Sequence, residues 1–468
     1  MKSSSFVSQT LAIAVLCVRS AVRSRFVICL LVLLLVTIVG MPMTIRGDGT
    51  IVGRAQVLLS YTLGLAGAII GTAVLWVGCG SISQEIDSRQ IHLTAVKPVR
   101  RFQIWLGKWL GLLVVSAILL AVSGLAVYSL LKWTVAGSGA SESEMTVLRK
   151  EIMTGRRRLR PRADHVHDEV HERVDRLVAS GRIPGDQPLD VVFLAVREQI
   201  LAQKYSVAPG RSKTWTFDLP SVLARSLRSS PEITARFKFR STSLTREPLK
   251  GTWTIGQTDG PQLFTTSIED RPEGRHAFVV PVSALPPGGT VSVTFTNASE
   301  EESSTAVFDS EAGIEFLVAE ASFERNLVMA LLVLFCHLAL LAAIGLTVSS
   351  MFSFPVATFV AASLIVILAV THYFATSPSA QGGCTHHHHG EPLRYGVVDA
   401  VGQKILRMLA VVVEPAMELD PLELLADGVL VSGPLAGKAV LLLCIVYPGL
   451  CGLLAGLCLS RRELALPA

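Results

Sequence analysis

The stretch richest in metal-binding chemistry is CTHHHHG, in which Cys384, His386, His387, His388 and His389 offer a thiol and four imidazoles within six positions. Such donors suit zinc, copper or nickel. The run reads either as a capture site for a divalent metal or as the solvated tip of a low-complexity loop, and its neighbour SPSAQGG favours the tip. A second pair, His167 and His171 in HVHDEVHERV, sits one helical turn apart. The zinc-peptidase motif HExxH needs glutamate where Asp168 stands, and Glu169 is displaced by one. These histidines therefore flank a packing stripe of Val166, Val170, Val174 and Leu177. GPLAGKA at 433–439 is the nearest approach to a phosphate-cradling loop. It is one spacer short, and Ala439 replaces the hydroxyl that would hold magnesium. No catalytic residue and no nucleotide site is expected in this chain.

The elements around these groups are mostly apolar. Of 468 residues, half are hydrophobic and 17% charged, and the mean hydropathy is +0.50. That balance points to several membrane spans. A bilayer core of about 30 Å takes about 20 helical residues, and six runs qualify: 26–45, 57–80, 109–131, 326–349, 356–375 and 439–460. Trp109 and Trp133 bracket the third, as interfacial aromatics do. No cleavable leader is expected, because the first apolar run begins at Phe26 behind basic residues with no small-residue cleavage site soon after. The eight cysteines avoid residues 134–324 and form no CxxC pair, which argues against a disulfide framework or a zinc ribbon.

Basic residues in short loops set the orientation. With the N-terminus inside, Lys2, Arg19, Arg23, Arg25, Arg89, Lys97, Arg100, Arg101, Lys108, Arg461 and Arg462 are cytoplasmic, eleven in all. Arg46, Arg54, Arg394, Lys404, Arg407 and Lys438 make six outside. GRRRLRPR at 155–162 opposes this, but long loops translocate largely regardless of charge. Both termini are expected inside and residues 134–324 outside. No ionisable residue lies mid-span except His337 and His372; His337 beside Cys336 reads as an interhelical hydrogen-bond donor more than a proton relay.

The insert reads as α+β. Ser141 and Glu144 form a capping-box pattern, and two helical segments complete 134–210. Over 211–324 the period becomes two: Trp215/Phe217/Leu219, Phe237/Phe239, Trp253/Ile255, Phe278/Val280/Val282, Val291/Val293/Phe295 and Ile314/Phe316/Val318. Short alternating strands separated by turns predict an antiparallel β-sandwich. Trp215 and Trp253 read as core rather than as a sugar platform. The arginines at 156–158, 160 and 162 suit either lipid headgroups and an acidic envelope polymer or a solvated helix face. Membrane halves at 1–133 and 325–468 enclose the insert. In the outer loop 376–438, Val398, Val401, Ile405, Leu409 and Val412 predict an amphipathic interfacial helix.

Three features carry a family resemblance. SISQEIDSRQIHLTAVKPVRRFQIWLGKWLG (81–111) places an acidic residue after span two, a polar segment, proline with basic residues, then Gly-Lys at the head of span three. LDPLELLADG precedes the last span, and SRREL follows it. This order resembles permease subunits of the type-2 ABC exporter family over roughly 1–133 and 325–468; the insert of about 190 residues departs from the many relatives with a short turn there. The resemblance implies a polytopic all-α domain of six spans in the plasma (inner) membrane of a bacterium, with a partner ATPase dimer that holds ATP and magnesium. It also implies a second permease copy or paralogue, surrounding lipid and no nucleic acid. In that family the loop after span two docks on the ATPase; here Glu85, Arg89, Ile91, Leu93, Pro98, Arg100 and Arg101 would carry that coupling. The rival reading is a non-transporting module that passes ATPase-driven motion to an outer binding domain.

Overall fold

The computed structural model describes residues 6–23, 25–44, 50–88, 100–137, 139, 141–162, 166–180, 189–219, 232–242, 247–257, 261–285, 290–299, 304–309, 313–376 and 419–461. In chain order these form α1 (Phe6–Arg23), α2 (Arg25–Thr44), α3 (Ile51–Asp87), α4 (Arg101–Gly137) and α5 (Glu142–Glu151). Strand β1 (Thr154–Leu159), α6 (Val166–Ala179) and α7 (Leu189–Tyr205) follow. Then come β2 (Ser206–Val207), β3 (Ser212–Asp218), β4 (Glu232–Ser241), β5 (Leu249–Gln257), β6 (Gln262–Asp270), β7 (Arg275–Pro281), β8 (Thr290–Asn297), β9 (Ala306–Phe308) and β10 (Ile314–Ser322). The chain closes with α8 (Phe323–Met351), α9 (Phe354–Thr376), α10 (Pro421–Ala426) and α11 (Gly433–Ser460). It is mostly helical, with a separate β-rich unit at Arg156–Glu320.

Five described helices are long and apolar enough to cross a membrane: α1, α3, α4, α8 and α11. Arg25–Met41 and Phe354–Val370, within α2 and α9, are shorter apolar stretches. Helix α1 was not anticipated: its hydropathy is the weakest of the five, and Ser8, Gln9, Thr10 and Arg19 interrupt its apolar run. Helices α3 and α8 meet through small residues. A Cβ on Gly345 would lie 2.9 Å from the Leu75 carbonyl and 3.2 Å from Gly78 Cα, so only glycine permits this approach. Nearby, the Ser349 hydroxyl accepts the backbone N–H groups of Ile82 (3.1 Å) and Ser83 (2.9 Å). The His337 ring nitrogen Nδ1 lies 2.9 Å from the Val333 carbonyl one turn back in its own helix.

Within the helical unit, the segment before α11 is pinned by a buried asparagine. Asn326 Nδ2 donates to the Val429 carbonyl at 2.9 Å, and Val431 N–H donates to Asn326 Oδ1 at 2.8 Å. Asp420 caps α10 by accepting the Leu422 N–H at 2.9 Å. The capping box at α5 is present, with Ser141 and Glu144 satisfying each other's backbone donors.

In the β-rich unit, β10, β4, β9 and β2 run side by side, with β1 beside β10 and β7 pairing β4; a second sheet runs β3-β8-β5-β6. The pairs β2–β9, β3–β8, β4–β7, β4–β9, β4–β10, β5–β6 and β5–β8 are antiparallel, for example Trp215 opposite Val293 and Trp253 opposite Phe295. The alternating apolars from both sheets meet in one core. Trp253, Phe295, Phe316 and Phe217 are almost fully buried there, and Trp215 stacks on Trp253 at 6.0 Å. Helices α6 and α7 pack through Val170, Val174, Val192 and Val196; the His171 ring rests on Phe193 at 4.7 Å.

The arginine cluster is a strand, not a helix face. Arg157 forms a two-pronged pair with Glu320, with Nη2 2.7 Å from Oε1, and this bond raises the guanidinium's pKa further above its usual range. Arg158 Nε lies 2.9 Å from buried Glu315, which also pairs with Arg236 across the β4–β10 register. Cross-strand charge matching explains a strand where local propensity gives little. Asn297 is fully buried, and its side chain bonds the Val207 and Ser304 carbonyls at 3.0 and 2.8 Å, so the N-x-S glycosylation pattern Asn297-Ala298-Ser299 is not accessible.

Candidate functional site

Buried charge and interhelical polar bonds gather at the junction where α3 ends and α4 begins. Glu85 occupies the last turn of α3, and Lys108 lies two turns into α4. Lys108 Nζ is 2.6 Å from Glu85 Oε1 and donates to the Ser81 carbonyl (2.6 Å) and Ser81 Oγ (3.1 Å). Lys108 is only 6% exposed. A buried ammonium persists only when paired and hydrogen-bonded, and these three oxygens supply that. Glu85, 36% exposed along its side chain, keeps one side toward solvent.

Helix α4 receives α1 through a GxxxG pair, Gly107 and Gly111. A Cβ at Gly107 would stand 2.7 Å from Ile13 Cβ and 2.9 Å from the Thr10 carbonyl; at Gly111 it would stand 2.6 Å from Cys17 Cβ. Thr10, Ile13, Ala14 and Cys17 recur at i, i+3, i+4 and i+7, one stripe of a 3.6-residue helix. Small residues on both partners let the backbones approach. Polar bonds fix the register: Gln103 Nε2 donates to the Phe6 carbonyl (3.1 Å) and to Gln9 Oε1 (3.2 Å). The Cys17 thiol points at the Lys108 carbonyl, 3.9 Å away. The same Gln103 accepts the Arg100 N–H through Oε1 at 2.7 Å, capping the start of α4.

Two further helices are tied to this turn. Arg101 Nη1 donates to the Leu459 carbonyl near the end of α11, where a cation complements the helix terminus. Trp105 stacks between Phe102 and Trp109, at 6.2 and 5.9 Å. Any side chain at Gly452 of α11 would strike its ring, 2.7 Å away. Trp109 Nε1 donates to the Ala339 carbonyl of α8 at 2.9 Å. The first eleven residues of α4 thus bind α1, α3, α8 and α11 together.

Of the residues expected to couple to an ATPase, three are described. Glu85 is committed to Lys108, Arg101 to Leu459, and Arg100 opens α4 with its backbone donor capped. Arg89, Ile91, Leu93 and Pro98 lie outside the described residues, as do Cys384 and His386–His389. Among the described residues no group of three or more His, Cys, Asp or Glu side chains is placed to hold a metal. Sequence reasoning missed Gln103 and the α1 stripe, and took Lys108 for a loop cation. The GxxxG at 107–111 was a visible signal, as was a lysine so close to an apolar run; Gln103 left no signal at all. No known protein family, curated protein or solved structure matches this chain.

Proposed function

We propose that the chain is the membrane subunit of an ATP-driven transporter, moving an unidentified cargo with hydrolysis supplied by a separate ATPase. One observation carries the reading. The helix that follows segment 89–99 is fastened within its first three turns to four other helices, by an ion pair, a GxxxG contact, an arginine cap and an indole hydrogen bond. A push delivered to 89–99 therefore reaches α1, α3, α8 and α11 as one displacement rather than dissipating in a loose loop. On this reading α2, α3, α4, α8, α9 and α11 are the six spans and both termini are cytoplasmic. The β-rich unit is an extracytoplasmic sandwich, a second copy or paralogue completes the permease, and an ATPase dimer docks on 85–101.

The rival, a module that transmits motion without moving cargo, has its own support. β10 ends at Ser322 and α8 begins at Phe323, with no loop between.

The test is purification from native membranes, comparing the wild-type chain with one whose residues 89–99 are replaced by a Gly/Ser linker of equal length. Vanadate-sensitive ATP hydrolysis is expected to travel with the first and not the second. Equal hydrolysis, or none with either, removes the ATPase-coupled reading. Hydrolysis in sealed vesicles with no accompanying solute or lipid movement would select the rival.

A further inference from the structure

Helices α2 and α3 enclose an open groove of about 510 Å³. Phe26, Leu30 and Leu33 line one side, Leu65, Ala68 and Trp76 the other. Thr72, its lone hydroxyl, is satisfied by its own helix through the Ala68 carbonyl at 2.8 Å. The lining is thus almost wholly apolar. Leu65 to Trp76 covers about 17 Å at 1.5 Å per residue, roughly half the hydrocarbon thickness of a bilayer. Its depth is that of one leaflet. At the Phe26 end stand Arg23 and Arg25, both exposed, and neither takes part in an ion pair among the described residues.

We infer that this groove holds one acyl chain of an anionic phospholipid, with the headgroup phosphate at Arg23 and Arg25. Charge decides against a second copy of the chain as the occupant. A two-fold contact sets the same surface against itself, which would gather four guanidinium groups from α1 and α2. Neither helix contains an acidic residue to neutralise them. A lipid phosphate supplies the missing anion, and its chain supplies an apolar filling one leaflet long. The inference requires only that the chain crosses a membrane, not that it transports anything.

The probe is phosphatidylglycerol bearing a photoreactive diazirine on one acyl chain, compared with phosphatidylcholine bearing the same group, added to the full-length protein in detergent. Crosslinks are expected on α2 and α3 at the groove, with phosphatidylglycerol preferred. Arg23→Gln and Arg25→Gln should each reduce that preference roughly fivefold, the effect of one basic residue at an anionic surface. Ala68→Phe, which fills the exposed floor, should abolish the crosslinks; if that variant is not monodisperse, Thr72→Leu serves in its place. Crosslinks unchanged by floor filling, or equal for the two lipids, overturn the inference. Protein–protein crosslinks through Leu33 in delipidated dimers would also overturn it, in favour of a second copy.

Discussion

Replacing Glu85 should harm the helical unit more than replacing Lys108. Two unit charges near 4 Å attract by about 4 kcal/mol at an effective dielectric of about 20, and most of this offsets the desolvation of the ammonium. The two partners differ in solvent access: the Lys108 side chain is 8% exposed and that of Glu85 36%. In Glu85→Gln the ammonium stays buried with only Ser81 to hold it. Losing one partner of a fully buried pair costs about 3–5 kcal/mol; partial access of water to the Glu85 position brings this to about 2–3 kcal/mol. In Lys108→Met the stem's packing is kept and the carboxylate turns to water, a loss of about 1 kcal/mol or less. The double variant should match Lys108→Met, so the cycle gives a coupling of about 2 kcal/mol. The assay is thermal unfolding in detergent followed with a fluorogenic thiol dye. All eight cysteines lie outside 134–324, so the dye reads the helical unit without interference from the sheets. Glu85→Gln should lower Tm by roughly 5–10 °C, at about 2–4 °C per kcal/mol. Equal, additive losses in the two single variants would refute the pairing argument. A larger loss for Lys108→Met would show that the Ser81 bonds, not the charge, hold the junction.

Asn326→Leu should lower stability by about 1–3 kcal/mol, because the Val431 N–H and Val429 carbonyl are left buried without a partner; the same thiol-dye melt measures it. Glu144 is held below the usual carboxylate range by hydrogen bonds from the Ser141 backbone and then its side chain. A depressed pKa means that the cap's contribution is present above the unfolded value and is lost as pH falls through the folded one. Hydrogen exchange at 142–147 should therefore rise in acid relative to base-corrected rates, and Glu144→Gln should flatten that rise. For topology, a cysteine-free protein carrying Lys250→Cys, exposed on β5, should react with an impermeant thiol reagent on intact cells. Reaction only after lysis would reverse the orientation.

How much of this was legible depended on whether a residue's reason lay close by in the chain. The core strands were readable because Val291, Val293 and Phe295, or Trp215 and Phe217, alternate on their own strand; burial on one face is a local pattern. Strand β1 was not. TGRRRL looks like solvated charge until Glu315 and Glu320, more than 150 positions later, arrive beside it. Strand β6 was hidden for a different reason: among the described strands it pairs with β5 alone and buries no residue fully, so its half-buried Phe264 and Ile268 make too weak an alternation to read.

The junction illustrates a different limit. Hydropathy marks the part of a helix that lipid touches, and it placed spans at 57–80 and 109–131. The helices themselves run Ile51–Asp87 and Arg101–Gly137, each 37 residues, about 55 Å long at 1.5 Å per residue against a core of about 30 Å. Each therefore continues well beyond the apolar window, and Gln103, Glu85 and Arg101 sit in those extensions. Their polarity made them look like loop. Their side chains are instead consumed by neighbouring helices, because backbone donors, a buried lysine and a helix end must all be satisfied where lipid no longer covers them and water only partly reaches. A junction that has to stay rigid while carrying charge is built where the apolar pattern stops, so an apolar scan passes over it.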